Sequence, residues 1–446
     1  MRRRKEAAGR APVVALLPWG NVIEDFLETA RITLKDFCGD FVGSWMFGYV
    51  EALRHAGVDT TIVCWSVAVR RTVERLHGAT GARIIILPAA LPYRLLAPHL
   101  SNPYGRTVAQ VFGRVPPLLQ AALFPVRETV LYLPTSPLLL RRAISRYGFA
   151  AILCQEYEYP RFDVTIAVGR IARVPIYGVF QGGNYQRSRL ERLTRPPSMR
   201  AARGFIVPTT VEAARIRARY GIEDARIATV PNPVDTNEWR PEDRLAARAK
   251  LGIPADARVV GWHGRVSMHK KGLDVLVDAF GKLRRQPETA QTLLLLIGSG
   301  HDDESLRHRI AEVEDGVHWV NRTVNDRGEL RRLLAAADVY AFPSRREGFA
   351  VAVLEAMACG LPVVAADASG VREALGTDRS DLIVPIGDPA ALARLLARLL
   401  GAPQEAAALG RAARERAVAE FSTQATGARL RSFLLPEGES AACREA

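Results

Sequence analysis

From Val13 onward the chain alternates short apolar runs with longer stretches in which apolar residues return every three or four positions. Val13 to Leu17 opens the pattern as a strand, a helix is predicted from about Trp45 to His55, and Thr60 to Cys64 follows as a strand. Ile152 to Tyr157 and Ile176 to Asn184 read as further strand ends, each finishing in polar residues. In the second half, strands fall at Val259 to His263, Leu293 to Ile297, Val317 to Val320, Val339 to Phe342 and Leu361 to Ala365. Strand alternating with helix throughout predicts an α/β chain of doubly wound parallel sheets with helices on both faces. Pro231 to about Lys250 is polar and proline-rich, a natural connection between two halves. A helix from Gln404 to Phe421 and one after it close the pattern, and the residues beyond Leu435 have the composition of a disordered end. No internal repeat is visible.

The most informative segment runs from Phe342 to Val364. It reads strand, loop, helix, strand, with a turn at Pro343 to Gly348, a helix from about Val351 and Gly360 ending it. Glu347 and Glu355 bracket the loop and the first helical turn. Glu355 falls in a helix otherwise made of Val, Ala, Leu, Met and Cys, where an unpaired carboxylate costs several kcal/mol, roughly, unless something donates hydrogen bonds to it. The free backbone N–H groups at the helix start form an anion site. A polyol carrying a phosphate, as in a sugar nucleotide, satisfies both. The plainer alternative is that Glu347 only complements the helix dipole and Glu355 pairs with an arginine.

A second constellation lies upstream. Val259 to His263 is a strand running into the turn Gly264-Arg265, after which Lys270-Lys271-Gly272 opens an amphipathic helix with Leu273, Leu276, Val277 and Phe280 on one face. Lysines at a helix start face the positive end of the macrodipole, unfavourable by about 0.3–1 kcal/mol each. A bound anion reverses that sign. The chain has six lysines against 55 arginines, and two of the six sit at this turn. Arg265 and Lys271 therefore read as paired ligands of a diphosphate, against the alternative of two harmless surface lysines.

Taken together, these residues resemble the retaining, nucleotide-sugar-dependent glycosyltransferases of GT-B fold, glycosyltransferase family 4 (glycosyl transferases group 1). The resemblance is strong from Ile227 to about Phe421, where Val230-Pro-Asn-Pro-Val-Asp235, Gly264-Arg265 with Lys271-Gly272, and Glu347-x7-Glu355 occur in the family's order. It is weaker over the first 200 residues. It implies two Rossmann-like domains facing a cleft: residues 1–231 on the acceptor side, a linker at 232–250, a donor-binding domain at 251–415, a helix at 416–435 crossing back to the first domain, and a disordered tail at 436–446. By the same resemblance, Arg265 and Lys271, with Gly264, hold the donor diphosphate and Glu355 holds the ribose hydroxyls. Glu347, with the backbone of Gly348, Phe349 and Ala350 and the helix start at Val351, holds the transferred sugar. Arg265, Lys271 and Glu347 are the residues expected to matter for catalysis.

In the first half, a loop at Cys38 to Ser44 opens a helix after the first strand, and Gly43 best matches the glycines that relatives carry near the donor phosphates. Many relatives place histidines after two later strands. This chain has Gln155 and Gln181 there, which leaves the acceptor-side chemistry open, and Glu156 is either an acceptor-binding carboxylate or a paired surface acid.

Composition adds three constraints. Cysteines at 38, 64, 154, 359 and 443 share no C-x-x-C spacing, which argues against a zinc site or a disulfide framework and for a reducing, cytoplasmic setting. No apolar run of 18 residues exists, and Met1-Arg-Arg-Arg-Lys5 lacks the hydrophobic stretch of a signal peptide. A formal net charge of +14 implies an anionic partner. No zinc finger, helix-turn-helix or RNA-binding aromatic strand is present, so nucleic acid is not expected. Leu-rich pieces with arginines and prolines between Leu91 and Tyr147 fit either the anionic inner face of the cytoplasmic membrane or ordinary core helices with wet arginines.

No Asp-x-Asp motif occurs, so neither a metal nor any other cofactor is expected. The resemblance favours transfer with retention from a nucleotide sugar to a lipid-linked or oligosaccharide acceptor in cell-envelope polysaccharide or glycolipid synthesis. A non-catalytic GT-B protein that binds nucleotide sugar, and a GT-B epimerase, are the alternatives. A phosphorylase is disfavoured because a pyridoxal lysine is hard to place in a lysine-poor second half. UDP is the first expectation for the nucleotide, from family frequency alone.

Overall fold

The computed structural model describes residues 11–30, 32–42, 45–182, 188–313 and 315–436. The chain divides into two compact units, residues 1–230 with 427–446 and residues 231–426. Gly43, Asn184 and residues 437–446 lie outside the described residues.

The first unit carries β1 (Val13–Leu17), β2 (Asp59–Ser66), β3 (Val73–Leu76), β4 (Arg83–Pro88), β5 (Ala151–Gln155), β6 (Ile176–Val179), β7 (Gly204–Val207) and β8 (Ile227–Thr229). They form one sheet in the order β3-β4-β2-β1-β5-β6-β7-β8, parallel except for the hairpin of β3 with β4. The strands read from sequence at Val13 and Thr60 are present, and so is the helix Trp45–His55. The Leu91 to Tyr147 stretch becomes four helices, Leu91–Leu96, Val108–Phe112, Pro117–Thr129 and Pro137–Tyr147. Thr107 and Ser136 cap the second and fourth by accepting from backbone N–H groups of the first turn.

The second unit carries β9 (Val259–His263), β10 (Leu293–Ile297), β11 (Val317–Val320), β12 (Val339–Phe342), β13 (Val363–Ala366) and β14 (Ile383–Val384). Their order is β11-β10-β9-β12-β13-β14, and every described pairing is parallel. The inner strands are buried along their whole length, because helices cover both faces of such a sheet. The expected strand at Leu361 starts two residues later, since Pro362 has no N–H for the ladder and supplies only its carbonyl, to Tyr340 N at 2.9 Å. Residues 232–250, read from sequence as a connection, cluster with this unit, and Arg244–Leu251 is a helix within it.

The chain runs outward from β9 to β11, then returns to place β12 on the other side of β9. The loops after β9 and β12 therefore diverge at the carboxyl edge, and such a switch point is where open α/β sheets bind ligands. The last helix, Thr423–Leu434, starts in the second unit and joins the first from Gly427. There Leu430 and Leu434 are buried, and the Tyr177 hydroxyl donates to the carbonyl of Leu434 at 3.3 Å. No helix among the described residues is long and apolar enough to cross a membrane.

Candidate functional site

The loops that leave β9 and β12 carry most of the residues singled out in the sequence. After β9 come Gly264 and the exposed Arg265, which hydrogen-bonds to no described residue. Residues Met268–Lys271 then form one separate helical turn, and Gly272 ends it in the left-handed region at φ 65. The long helix Leu273–Arg284 starts only after this break. Lys270 and Lys271 thus end a short turn that precedes the amphipathic helix, and do not open that helix as the periodicity had suggested. The break has a steric cause. A Cβ at Gly272 would lie 2.1 Å from the carbonyl oxygen of Pro343, so only glycine lets the β9 and β12 loops touch.

The contact is strapped by Arg345. Its guanidinium binds both oxygens of Asp274, at 2.7 and 2.6 Å, and its backbone N–H donates to the Lys270 carbonyl at 3.0 Å. Desolvation alone would raise the Asp274 carboxyl, but the hydrogen bonds and charge of Arg345 outweigh it and hold the group below the usual carboxylate range.

Two carboxylate pairings define the site. Lys271 Nζ donates to Glu347 Oε1 at 2.7 Å, with the Glu347 side chain only 9% exposed. Glu347 is therefore paired across the switch point, and the dipole alternative is not needed to explain it. Lys270 stands beside this pair. Its ammonium is held below the usual lysine range by desolvation and then by the charges of Lys271 and Arg265, against the opposing pull of Glu347. The charges of Lys271 and Arg265 thus act against that of Lys270, and an added anion would relieve this repulsion.

Glu355 lies one turn into the helix Val351–Ala358, half-buried, and its Oε2 sits 2.8 Å from His263 Nε2. The partner is a histidine and not the arginine that sequence reasoning allowed. His263 is 5% exposed, flanked by the rings of Trp239 at 6.2 Å and Tyr340 at 5.4 Å, with Nδ1 buried and unpartnered. A proton on Nε2 meets the carboxylate, while one on Nδ1 would leave two mismatched buried atoms, so the Nε2–H tautomer is favoured. This holds one oxygen of Glu355 and leaves Oε1 for a ligand. His263 ends β9 immediately before Gly264-Arg265, and that polar residue closing an apolar strand was the available signal for it.

Gly348, Phe349, Ala350 and Val351 run from the Glu347 loop into the helix start. Ala350 is the N-cap, with no side chain capping the first turn, and Phe349 is buried at 6%. The far end of the same helix is closed by Arg414, which donates to the Ala358 carbonyl at 2.9 Å.

The first unit's candidates have structural partners. Gln155 Oε1 accepts the Trp19 N–H at 2.7 Å, and Glu156 Oε1 accepts the Gln181 N–H at 2.8 Å. Glu156 is 1% exposed, so it is not a surface acid, and it sits in the left-handed region at φ 57. All three lie at the carboxyl edge of β5 and β6, where they tie loops together. No cluster of three or more His, Cys, Asp or Glu side chains suited to a metal ion occurs among the described residues.

Replacing His263 tests the pairing with Glu355. His263→Ala should weaken nucleotide binding about tenfold, through the loss of a charge-assisted hydrogen bond that holds Glu355. His263→Gln, which keeps a donor, should retain most of it. Titration calorimetry with nucleoside diphosphates checks this, and equal affinity in wild type and His263→Ala would rule the coupling out.

Two family models match the chain. The one described as glycosyl transferases group 1 covers residues 257–402, and glycosyltransferase family 4 covers residues 42–238. A D-inositol 3-phosphate glycosyltransferase of Saccharomonospora viridis is 39% identical over 220 residues, 48% of this chain and 51% of that protein. A GDP-mannose-dependent monoacylated alpha-(1-6)-phosphatidylinositol monomannoside mannosyltransferase of Corynebacterium glutamicum is 34% identical over 218 residues, 47% of this chain and 56% of that protein. The chain thus spans about half the length of the curated relatives it matches. Among solved structures, sucrose-phosphate synthase from Thermosynechococcus elongatus aligns with a TM-score of 0.64 at 22% identity, over 94% of this chain and 97% of that one. The Anabaena HepE protein in complex with UDP and glucose aligns at 0.60 and 16% identity, over 95% of this chain and 99% of that one. These likenesses show a shared GT-B fold.

Proposed function

Because this chain belongs to the group 1, family 4 glycosyltransferases, we propose that it transfers a sugar from a nucleotide-diphosphate sugar to an acceptor hydroxyl with retention of configuration. The observation that carries the proposal is the gathering of Arg265, Lys271, Glu347 and Glu355 on the segments that leave β9 and β12 at the switch point of the second sheet. Arg265 and Lys271 take the diphosphate. As the sugar leaves, negative charge grows on the outer phosphate, and preplaced cations stabilise it without reorganising. Glu347 gives up Lys271 to that phosphate and turns its carboxylate to the sugar hydroxyls, helped by the backbone of Gly348 to Ala350. Glu355 takes the ribose with the oxygen that His263 leaves free. The acceptor hydroxyl then attacks on the face the phosphate leaves, and its proton passes to an oxygen of the departing diphosphate.

UDP is the leading donor nucleotide. HepE was solved with UDP, whereas one relative is named for GDP-mannose, so the base needs a direct test. The names of the relatives point to an inositol phosphate or inositol glycolipid acceptor. The net charge of +14 favours the anionic inner face of the cytoplasmic membrane as the place of that transfer, within glycolipid or cell-envelope polysaccharide synthesis. A thermal-shift panel of UDP, GDP, ADP and TDP should give one clear responder, since saturation a hundredfold above Kd stabilises the fold by about 2.7 kcal/mol. Glu355→Ala should weaken that response. Glu347→Ala should spare the free nucleotide and impair the sugar nucleotide. No response to any of the four would refute the donor-site reading.

The cations in this scheme do the work of a metal. Transfer, or slow donor hydrolysis, should therefore persist in excess EDTA. Activity lost in chelator and restored by Mn²⁺ or Mg²⁺ would overturn this part of the mechanism.

A further inference from the structure

Between Glu74 and Glu156 the sequence contains one acidic residue, Glu128, against nine arginines. Glu128 is turned inward, paired with Arg127 and accepting the Leu190 N–H at 3.3 Å, so it offers little negative charge to the surface. Within this stretch the helix Pro117–Thr129 stands apart from the core. Residues 117–122 are all exposed, and Leu118 is 93%, Leu119 47% and Phe124 39% accessible. Its base is held where Arg127 and Val130 are buried. Beside it runs the helix Arg189–Ala201, whose Arg189 guanidinium lies 5.5 Å from the Phe124 ring centre. One turn further along, Arg192 and Leu193 are exposed, and Arg114 is exposed just ahead of Pro117.

We propose that this apolar helix tip, bordered by Arg114, Arg189 and Arg192, is an interfacial anchor that lays Leu118, Leu119 and Phe124 into the headgroup boundary of an anionic lipid membrane. Leucines left in water are stabilised by entering the acyl boundary, while arginines beside them stay among lipid phosphates. The charge pattern selects against other occupants. A second copy would bring arginines against arginines, and a nucleic acid would use the cations but leave the leucines wet. The proposal rests on the membrane-side reading above and assigns it to one surface.

Co-sedimentation of the full chain with phosphatidylglycerol or phosphatidylcholine vesicles, at low and high salt, provides the test. Wild type should bind the anionic vesicles and release as salt rises. Leu118→Ser with Leu119→Ser should lower partitioning at least about tenfold, because two exposed side chains lose their apolar contact with lipid. Arg114→Gln with Arg192→Gln should lower it by about fivefold per arginine on anionic vesicles alone. Both variants should melt at the wild-type temperature, since the replaced side chains are exposed. Binding unchanged in both variants removes this surface and leaves the membrane-side reading standing. No binding by wild type to either vesicle removes both. A wild-type mass in solution that falls from two chains to one in the leucine variant would assign the face to a second copy and overturn the proposal.

Discussion

Arg265→Ala and Lys271→Ala should each abolish the thermal shift produced by the donor nucleotide, and together they should reduce transfer below detection. Each removes a charge-assisted contact to phosphate worth about 1.5–3 kcal/mol, or roughly 10- to 150-fold in Kd. The effect on turnover should exceed the effect on binding, because charge on the leaving diphosphate is larger in the transition state than in the bound donor. The two variants should differ in stability. Arg265 hydrogen-bonds to no described residue, so its loss should leave the melting temperature unchanged. Lys271 pairs with the nearly buried Glu347, so Lys271→Ala strands a carboxylate and should also destabilise the second unit. Lys271→Arg, which keeps the charge, should restore stability but only part of the activity, since a planar fork replaces a point charge. A nucleotide shift that survives both alanine substitutions would place the diphosphate elsewhere.

The largest stability effect should come from the first unit. Arg195 is fully buried, and its Nε and Nη2 bind the Asp163 carboxylate at 2.9 and 3.1 Å, with Glu158 at 3.8 Å. Desolvation alone would weaken the charge, but Asp163 and then Glu158 hold the guanidinium above its usual range. Tyr132 donates to the same Asp163 at 2.8 Å, so the network joins the helices Pro160–Ala172 and Arg189–Ala201 to the chain before Pro137. Arg195→Met leaves Asp163 without its cation in a buried site, a loss of about 3–5 kcal/mol. For a unit of this size that corresponds to a fall of about 10 °C in melting temperature. Replacing Asp163 by Leu in the same chain should recover a substantial part, because the stranded charge is then gone and Glu158 keeps Arg215 at 2.8 Å. Calorimetry of the single and double variants decides it. A single variant within about 1 kcal/mol of wild type would show that water reaches the site and screens it.

Nothing in the sequence distinguishes Arg195 from Arg189 or Arg192, which are exposed on the same helix. The same limit appears at the functional site. The strand ends, the Gly264-Arg265 turn, the loop from Pro343 to Gly348 and the helix holding Glu355 were legible because each follows from local periodicity and from where glycine and proline interrupt it. One local inference failed there. Periodicity ran the helix back through Lys270 and Lys271, whereas the approach of Pro343 to Gly272, from a loop about 70 residues away, breaks it.

The sequence by itself determined that this is an α/β chain, that Gly264-Arg265 follows a strand end, and that Glu347 and Glu355 share one loop-helix segment. Those properties depend on the residue types of short stretches. Only the tertiary structure decided that Lys271 meets Glu347 across 76 positions and that His263 meets Glu355 across 92. Both pairings come from the order β10-β9-β12, which sets two distant strands side by side and opens their loops onto one another. Sheet order is settled by which buried faces pack together over the whole unit, and no local pattern of hydrophobic positions encodes it.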